Sequence, residues 1–422
     1  MHGSLFTQDF LDQGIRASGA WLSLDQVQFA AFTAELQRIH ACVGGDTQLN
    51  ETQTEAELIT PVLLALGWHL LPQQQTNARG RADVPDMLLF TGAAARQAAL
   101  DEPRPDRRFR HGGAIVESKR WLRPLDRGNA GNRLEIDTPS SQMLRYLSQA
   151  EIASDRAVMW GLLSNGRQWR LYWQGARSRS EEFVEIDLAH LLGVTGLTAD
   201  LLAASNVDTA HALKVFYLLF RAPAFLPQAD DSEGRTFHRI ALDESRHWES
   251  RVSNSLGQRV FDDVFPKLIL ALAAADPQRD PHSLDYREQL KRAALTLLYR
   301  LLFVLYAEDR NLLPVRDARY DDYSVRRIRD DIARRIDRSD VFSAGIDRYW
   351  QHLRGLFRAI AGGDPGLGLP AYNGGLFDEA REPLLARIGL GDVVVAPLID
   401  ALSREPDAHG ALRRLNYRDL SV

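Results

Sequence analysis

The sequence predicts an α/β (α+β) domain followed by a mainly α-helical domain. Three observations lead there. Apolar runs at Met87–Phe90, Ala114–Val116, Ala157–Leu163 and Gln168–Trp173 have strand length and end in turn-forming residues. Ser164-Asn165-Gly166 joins the last two as a hairpin turn. From Leu191 onward, apolar residues recur at helical spacing with few strand signals. At 422 residues the chain exceeds one ordinary core, so two or three domains are expected.

Ser23-Leu24-Asp25-Gln26 has the form of a capping box, and Phe29, Phe32, Leu36 and Ile39 then mark one helix face ending near Gly44-Gly45. A second helix starts between Asn50 and Thr54 and runs to Gly67. Pro61 inside it predicts a kink or a late start. Trp68 to Leu71 reads as a short strand and Gln73 to Asp83 as a polar loop. The strands at 87–90 and 114–116 are separated by an Arg-rich insertion, Gly92 to Gly113, expected to be a mobile surface loop. After the polar stretch Pro124–Pro139, Ser140 is placed to cap a helix through Gln142, Leu144 and Tyr146, and Phe183 to Leu188 closes the strand set. Helices follow at His211–Phe220, Val260–Ala275, Tyr286–Asp309, Val325–Ile336 and Arg348–Ala361, with Pro223–Gly234 as the expected linker. The expected division is 1–45, an N-terminal helical extension; 46–190, the α/β domain; 191–361, a helical connector; and 362–422, a Gly/Pro-rich segment. No repeat of solenoid period is present.

One cysteine, Cys42, excludes a disulfide framework and a cysteine-based zinc site. The first ten residues lack a secretion signal, and the longest apolar run, Leu295 to Ala307, is too short to span a bilayer. A cytoplasmic protein with no membrane partner is expected. The net charge of −5 means that nucleic-acid binding has to come from local patches. Arginine is the usual base; the only lysines are Lys119, Lys214, Lys267 and Lys291.

Two neighbouring strands would bring Asp86, at the start of one, beside Glu117-Ser118-Lys119, at the end of the other. Two carboxylates and an amine there suit phosphodiester hydrolysis, which needs an activated water and neutralised phosphate charge. Mg²⁺ prefers oxygen ligands and keeps several waters, so Asp86, Glu117 and the Ser118 carbonyl suffice to hold it, with Mn²⁺ as a substitute. Lys119 would orient the water and counter the developing charge. Glu57, on the preceding helix, is a further candidate carboxylate, although it also fits a Thr54–Glu57 capping box; Asp83 is an alternative to Asp86. Arg79, Arg81, Arg120, Arg123, Arg127 and Arg133 flank the pair and could contact phosphates without reading sequence. No histidine shows metal-ligand spacing. Asp-x(n)-Glu-x-Lys is by itself a loose pattern, and its strand, strand and helix setting is what gives it weight.

Pro85-Asp86 with Glu117-Ser118-Lys119 resembles the PD-(D/E)XK nuclease motif, and Gln142 and Tyr146 match the QxxxY extension of RecB-like members. The resemblance implies a mixed central sheet flanked by helices, metal on Asp86 and Glu117, catalysis by Lys119, a supporting acid at Glu57, and Gln142 and Tyr146 on the DNA side. It extends along the chain. Glu51–Thr54, Leu66-Gly67-Trp68, Trp160–Gly166, Leu305–Arg310, Tyr372–Phe377 and Asn416–Leu420 are similar to the N-terminal nuclease and connector of single-chain type II (type IIG-like) restriction–modification enzymes. That family implies a metal-dependent endonuclease acting on double-stranded DNA in phage defence, partnered by methyltransferase and target-recognition domains or subunits. The Asn-Pro-Pro-Tyr motif of adenine methylation is missing, so S-adenosylmethionine would act only in a methyltransferase domain beyond Val422. The alternative expectation is a non-catalytic DNA-binding or assembly module that keeps the nuclease fold.

Overall fold

The computed structural model describes residues 1–44, 47–72, 84–128, 137–196, 208–229, 231–280, 282–315, 317–372, 374–406 and 410–417. Arg79, Arg81, Asp83, Arg133, Asn373 and Arg418–Leu420 therefore lie outside the described residues.

The chain is a mixed α/β protein that divides into two units, Met1–Trp248 and Glu249–Val422. The first is built on a six-stranded sheet: β1 (His69–Pro72), β2 (Met87–Phe90), β3 (Ala114–Ser118), β4 (Trp160–Ser164), β5 (Gln168–Trp173) and β6 (Phe183–Asp187), in that spatial order. Neighbours pair antiparallel except β3 and β4, which are parallel. A parallel step needs a crossover, and the helix Pro139–Ala153 supplies it. Thr138, two residues earlier than the expected Ser140, caps that helix by accepting from Ser141 N at 3.1 Å, with Pro139 at the first helical position.

Alternation along the strands sends side chains to two separate cores. Leu89, Val116, Leu162 and Leu171 pack with Leu36, Leu63 and Phe216 on one face; Leu88, Ile115, Leu163 and Tyr172 pack with Met143 and Leu147 on the other. Burying each large apolar side chain contributes roughly 1.5–3 kcal/mol.

Three expectations change here. The insertion 92–113 is not a loose loop: it forms the helix Ala93–Asp101 and a 3-10 turn Pro105–His111, anchored by fully buried Ala99 and Phe109 in the second core. The helix Thr209–Phe220 belongs to the first unit, because Val215, Phe216, Leu219 and Phe220 are buried in its core. Phe6, Phe10 and Phe32 are buried there too, so residues 1–45 are part of this unit rather than an extension of it. The division thus falls within the helix Phe237–Arg259, not at residue 190 or at Pro223–Gly234.

Pro61 acts as predicted, by an unexpected route. The helix runs Glu51–Thr54, then a π turn Glu55–Ile59, then Thr60–Ala65. Proline cannot donate to the carbonyl four residues back, and the wider turn accommodates it: Thr60 N donates to Glu55 O instead.

In the second unit the described elements are helices, chiefly Phe265–Ala275, Leu284–Asp309, Val325–Asp337, Arg348–Gly362 and Asp392–Ser403, and the two-stranded sheet β7 (Arg404–Pro406) with β8 (Leu412–Arg414). Segment 362–422 shares their core through Leu384, Val395 and Leu402. Glu308 and Asp309 of the Tyr306–Arg310 segment have structural roles. Glu308 accepts from Tyr320 OH, Val325 N and Arg326 N at 3.0, 2.8 and 2.7 Å, and Asp309 pairs with Arg329 and accepts from Tyr417 N. Among the described residues, no helix is long and apolar enough to cross a membrane.

Candidate active site

The antiparallel register of β2 and β3, Met87 opposite Val116, places Asp86 just past the pairing and level with the end of β3. Asp86 Oδ2 there accepts from Ser118 N at 2.7 Å. Glu117 and Lys119 lie two residues apart on one strand face, and Lys119 Nζ donates to Glu117 Oε1 at 2.5 Å. Lys119 N donates to Ser164 O at 2.8 Å, carrying the β3–β4 pairing past Ser118 and fixing the lysine backbone. The sequence-derived trio is therefore one cluster, held by three backbone segments.

A helix closes the cluster. Thr54 Oγ1 accepts from Trp121 N at 2.8 Å, tying the start of the Glu51–Ala65 helical run to the segment after Lys119. At Gly166, in the hairpin, a Cβ would meet Leu58, Trp121 and Thr54 at 2.9 to 3.1 Å, and φ is +81°. Only glycine lets the helix, the hairpin and Trp121 come this close. The carboxylates this delivers are Glu51, 3.9 Å from Lys119, and Glu55, which lies beside Ser118 and raises the Asp86 pKa through its charge. Glu57 is not among them: it is exposed, away from the buried Thr54 and Leu58. The π turn begins at Glu55, so ordinary helical counting cannot say which glutamate turns inward. The signal available in the sequence was the Glu51/Glu55 pair, four apart on one face beside Thr54.

Gln142 Nε2 donates to Tyr146 OH at 2.8 Å, and Tyr146 is buried close enough to feel the charges of both Glu117 and Lys119. The pair thus borders the cluster from the crossover helix. Of the flanking arginines, Arg120 and Arg127 are exposed. Arg123 is only 6% exposed, its carbonyl accepting from Asn165 Nδ2.

The electrostatics are those of a cluster with more negative charge than its surroundings support. Glu117 is 2% exposed; burial and the neighbouring Asp86 push its pKa up to about 8, against the pull of Lys119. Burial also raises Asp86, although the Ser118 N–H and Lys119 oppose this. Burial of Lys119 disfavours its charge, yet Glu117 and Glu51 prevail and hold its pKa above the usual lysine value, so it is a cation and not a neutral base.

Among the described residues, Glu117 Oε2 is buried without a hydrogen-bond partner. A buried acceptor with no donor costs free energy unless something supplies positive charge. Among the described residues no three His, Cys, Asp or Glu side chains are arranged to hold a metal ion together. Asp86 and Glu117, with the vacant Oε2, nonetheless fit a hard cation that keeps most of its waters, such as Mg²⁺ or Mn²⁺.

Comparison with protein-family models, with curated proteins and with solved structures gave no match to this chain.

Proposed function

We propose that the first unit is a metal-dependent DNA endonuclease of PD-(D/E)XK type. The observation that carries this reading is the juxtaposition of Asp86, Glu117 and Lys119 at adjoining strand ends, with Glu117 Oε2 buried and unpartnered. Asp86 and Glu117 would hold Mg²⁺, which, when bound, supplies Lewis-acid charge and lowers the pKa of a coordinated water. Lys119, held cationic by its carboxylate neighbours, places an N–H donor where charge develops on the phosphate. Glu51, near the lysine, and Glu55, beside Ser118, add negative charge that favours a cation. The Gln142–Tyr146 pair offers polar atoms to the DNA strand beside the cluster.

The sequence resemblance further supports a place in a restriction–modification system, in which double-stranded DNA is the substrate and separate domains or subunits provide methylation with S-adenosylmethionine and target recognition. A second reading, a DNA-binding or assembly module without catalysis, draws on one observation: Lys119 Nζ closes on Glu117 Oε1.

Plasmid DNA incubated with the protein and Mg²⁺ or Mn²⁺, with and without a methyltransferase partner, separates the two. The endonuclease reading expects nicked or linear products that disappear in Asp86→Ala, Glu117→Ala and Lys119→Ala. Intact plasmid in every condition, with gel-shift binding retained, would instead establish the module.

A further inference from the structure

We propose that the first unit carries a second ligand site, a cleft for a nucleoside phosphate at the end of the sheet opposite the Glu117–Lys119 cluster. The cleft has a volume of about 600 Å³, within the range that encloses a small organic ligand. Gly112-Gly113 before β3, Met159 and Trp160 at the start of β4, and Trp173 at the end of β5 form its floor. β3 runs five residues from there to Ser118, so about 13 Å of strand separates the two sites. The inference does not depend on the nuclease reading.

Two cations face this cleft, Arg156 and Arg239. The Arg239 guanidinium lies over Trp173, 4.7 Å from the ring centroid, and no carboxylate among the described residues pairs with it. Nearby Asp231, Glu233 and Asp243 are all engaged by Arg235. Stacking holds the guanidinium plane in one orientation, leaving its N–H edge ready for a bidentate anion such as phosphate. Among the described residues Arg156 pairs with Glu151, at 3.9 Å, and its side chain is 75% exposed.

The backbone at Arg156 is strained. Asp155 and Arg156 are successive non-glycine residues at φ 55° and 68°, in the turn between the helix Pro139–Ala153 and β4. Glycine would meet that turn without the steric cost, so the arginine side chain is carried here against local preference. Phe225 and Leu226, also lining the cleft, are apolar. A ligand that matches both the cations and this apolar lining has an anionic head and a flat, weakly polar body. A nucleoside phosphate is such a molecule: phosphate to Arg156 and Arg239, base along the apolar lining.

Calorimetric titration of the full chain with AMP, GMP, adenosine and inorganic phosphate tests this. Saturable binding of AMP or GMP is expected, with adenosine and phosphate each weaker by roughly ten-fold or more, since each lacks one half of the match. Arg239→Ala and Arg156→Gly should each weaken nucleotide binding by roughly ten-fold, and Glu117→Gln should leave it unchanged. Arg156→Gly suits the positive φ, so its melting temperature should equal or exceed wild type and the loss cannot be ascribed to unfolding. The proposal is overturned if neither nucleotide binds at millimolar concentration, if phosphate alone binds as tightly, or if both arginine variants bind like wild type. A short oligonucleotide that outcompetes the mononucleotide would also overturn it, in favour of a strand-binding groove.

Discussion

Replacing Glu117 by Gln should stabilise the metal-free protein while removing its response to metal. In the fold, burial and Asp86 push the Glu117 pKa up to about 8 from an ordinary 4.5. The folded state therefore holds a proton that the unfolded chain releases, and this carboxyl's contribution to stability falls as pH rises from 4.5 to about 8. At pH 7 the cost is that of keeping a carboxyl protonated some 2.5 units above its free pKa, up to about 3 kcal/mol at 1.36 kcal/mol per unit. Glutamine is isosteric and cannot ionise, so it escapes this cost but leaves an amide where Oε2 has no partner, an offset of about 1 kcal/mol or more. The net expectation at pH 7 with chelator is a gain of about 1–2 kcal/mol, at roughly 2–4 °C of melting temperature per kcal/mol for a unit of this size. Millimolar Mg²⁺ or Mn²⁺ should raise the wild-type melting temperature, by about 2.7 kcal/mol of stability at a hundred times Kd, and scarcely move the variant. Differential scanning fluorimetry in chelator and in metal, from pH 5 to 9, reads all of this. A variant less stable than wild type in chelator, or one with the same metal-induced shift, would refute the view that Glu117 is held ready for a cation.

Other outcomes follow from the same geometry. His238 is fully buried between Trp160 and Phe225, its Nε2 donating to Leu219 O at 2.7 Å, and burial pushes its pKa down to about 4. Its neutral form is the folded form, so stability is full above pH 6.5 and falls by up to about 3 kcal/mol as pH drops towards 4; His238→Phe should flatten that limb of the pH–stability curve. Arg170 is 3% exposed and joins Asp126, at 2.6 Å through both Nη atoms, to Glu185. Arg170→Ala should destabilise the first unit by about 3–5 kcal/mol in urea unfolding, because it leaves the buried Glu185 without its cation, while Arg170→Met should cost less. Glu308→Ala removes the acceptor of two backbone amides and the Tyr320 hydroxyl, and should lower the unfolding transition of the second unit by at least about 3 kcal/mol. Gln142→Ala should reduce DNA cleavage roughly ten-fold with little change in melting temperature, since its side chain is half-buried and, among the described residues, bonds Tyr146 OH.

The central pairing was legible because everything it needs is local. Apolar runs of strand length, a Pro-Asp at one edge and Glu-x-Lys at another place three side chains together as soon as the two strands pair in register. The hairpin at Ser164–Gly166 and the crossover helix were legible for the same reason. By contrast, the ordered insertion 92–113 was not, because its order comes from Phe109 and Ala99 reaching a core that exists only once the sheet is formed. Arginine content near a site is equally silent about direction: Arg120 points to solvent and Arg123 does not.

Sequence alone determined the strand and helix inventory of the site, its chemistry of two acids and an amine, and the interruption at Pro61. Tertiary structure decided which further carboxylates join them, Glu51 and Glu55 in place of Glu57, because a π turn resets the helical phase and Gly166 and Trp121 set how close the helix comes. It also decided where the first unit ends, at Trp248, since the helix Thr209–Phe220 closes the sheet's own core. Periodicity reports which face of an element is apolar; it carries no information on which core that face will meet.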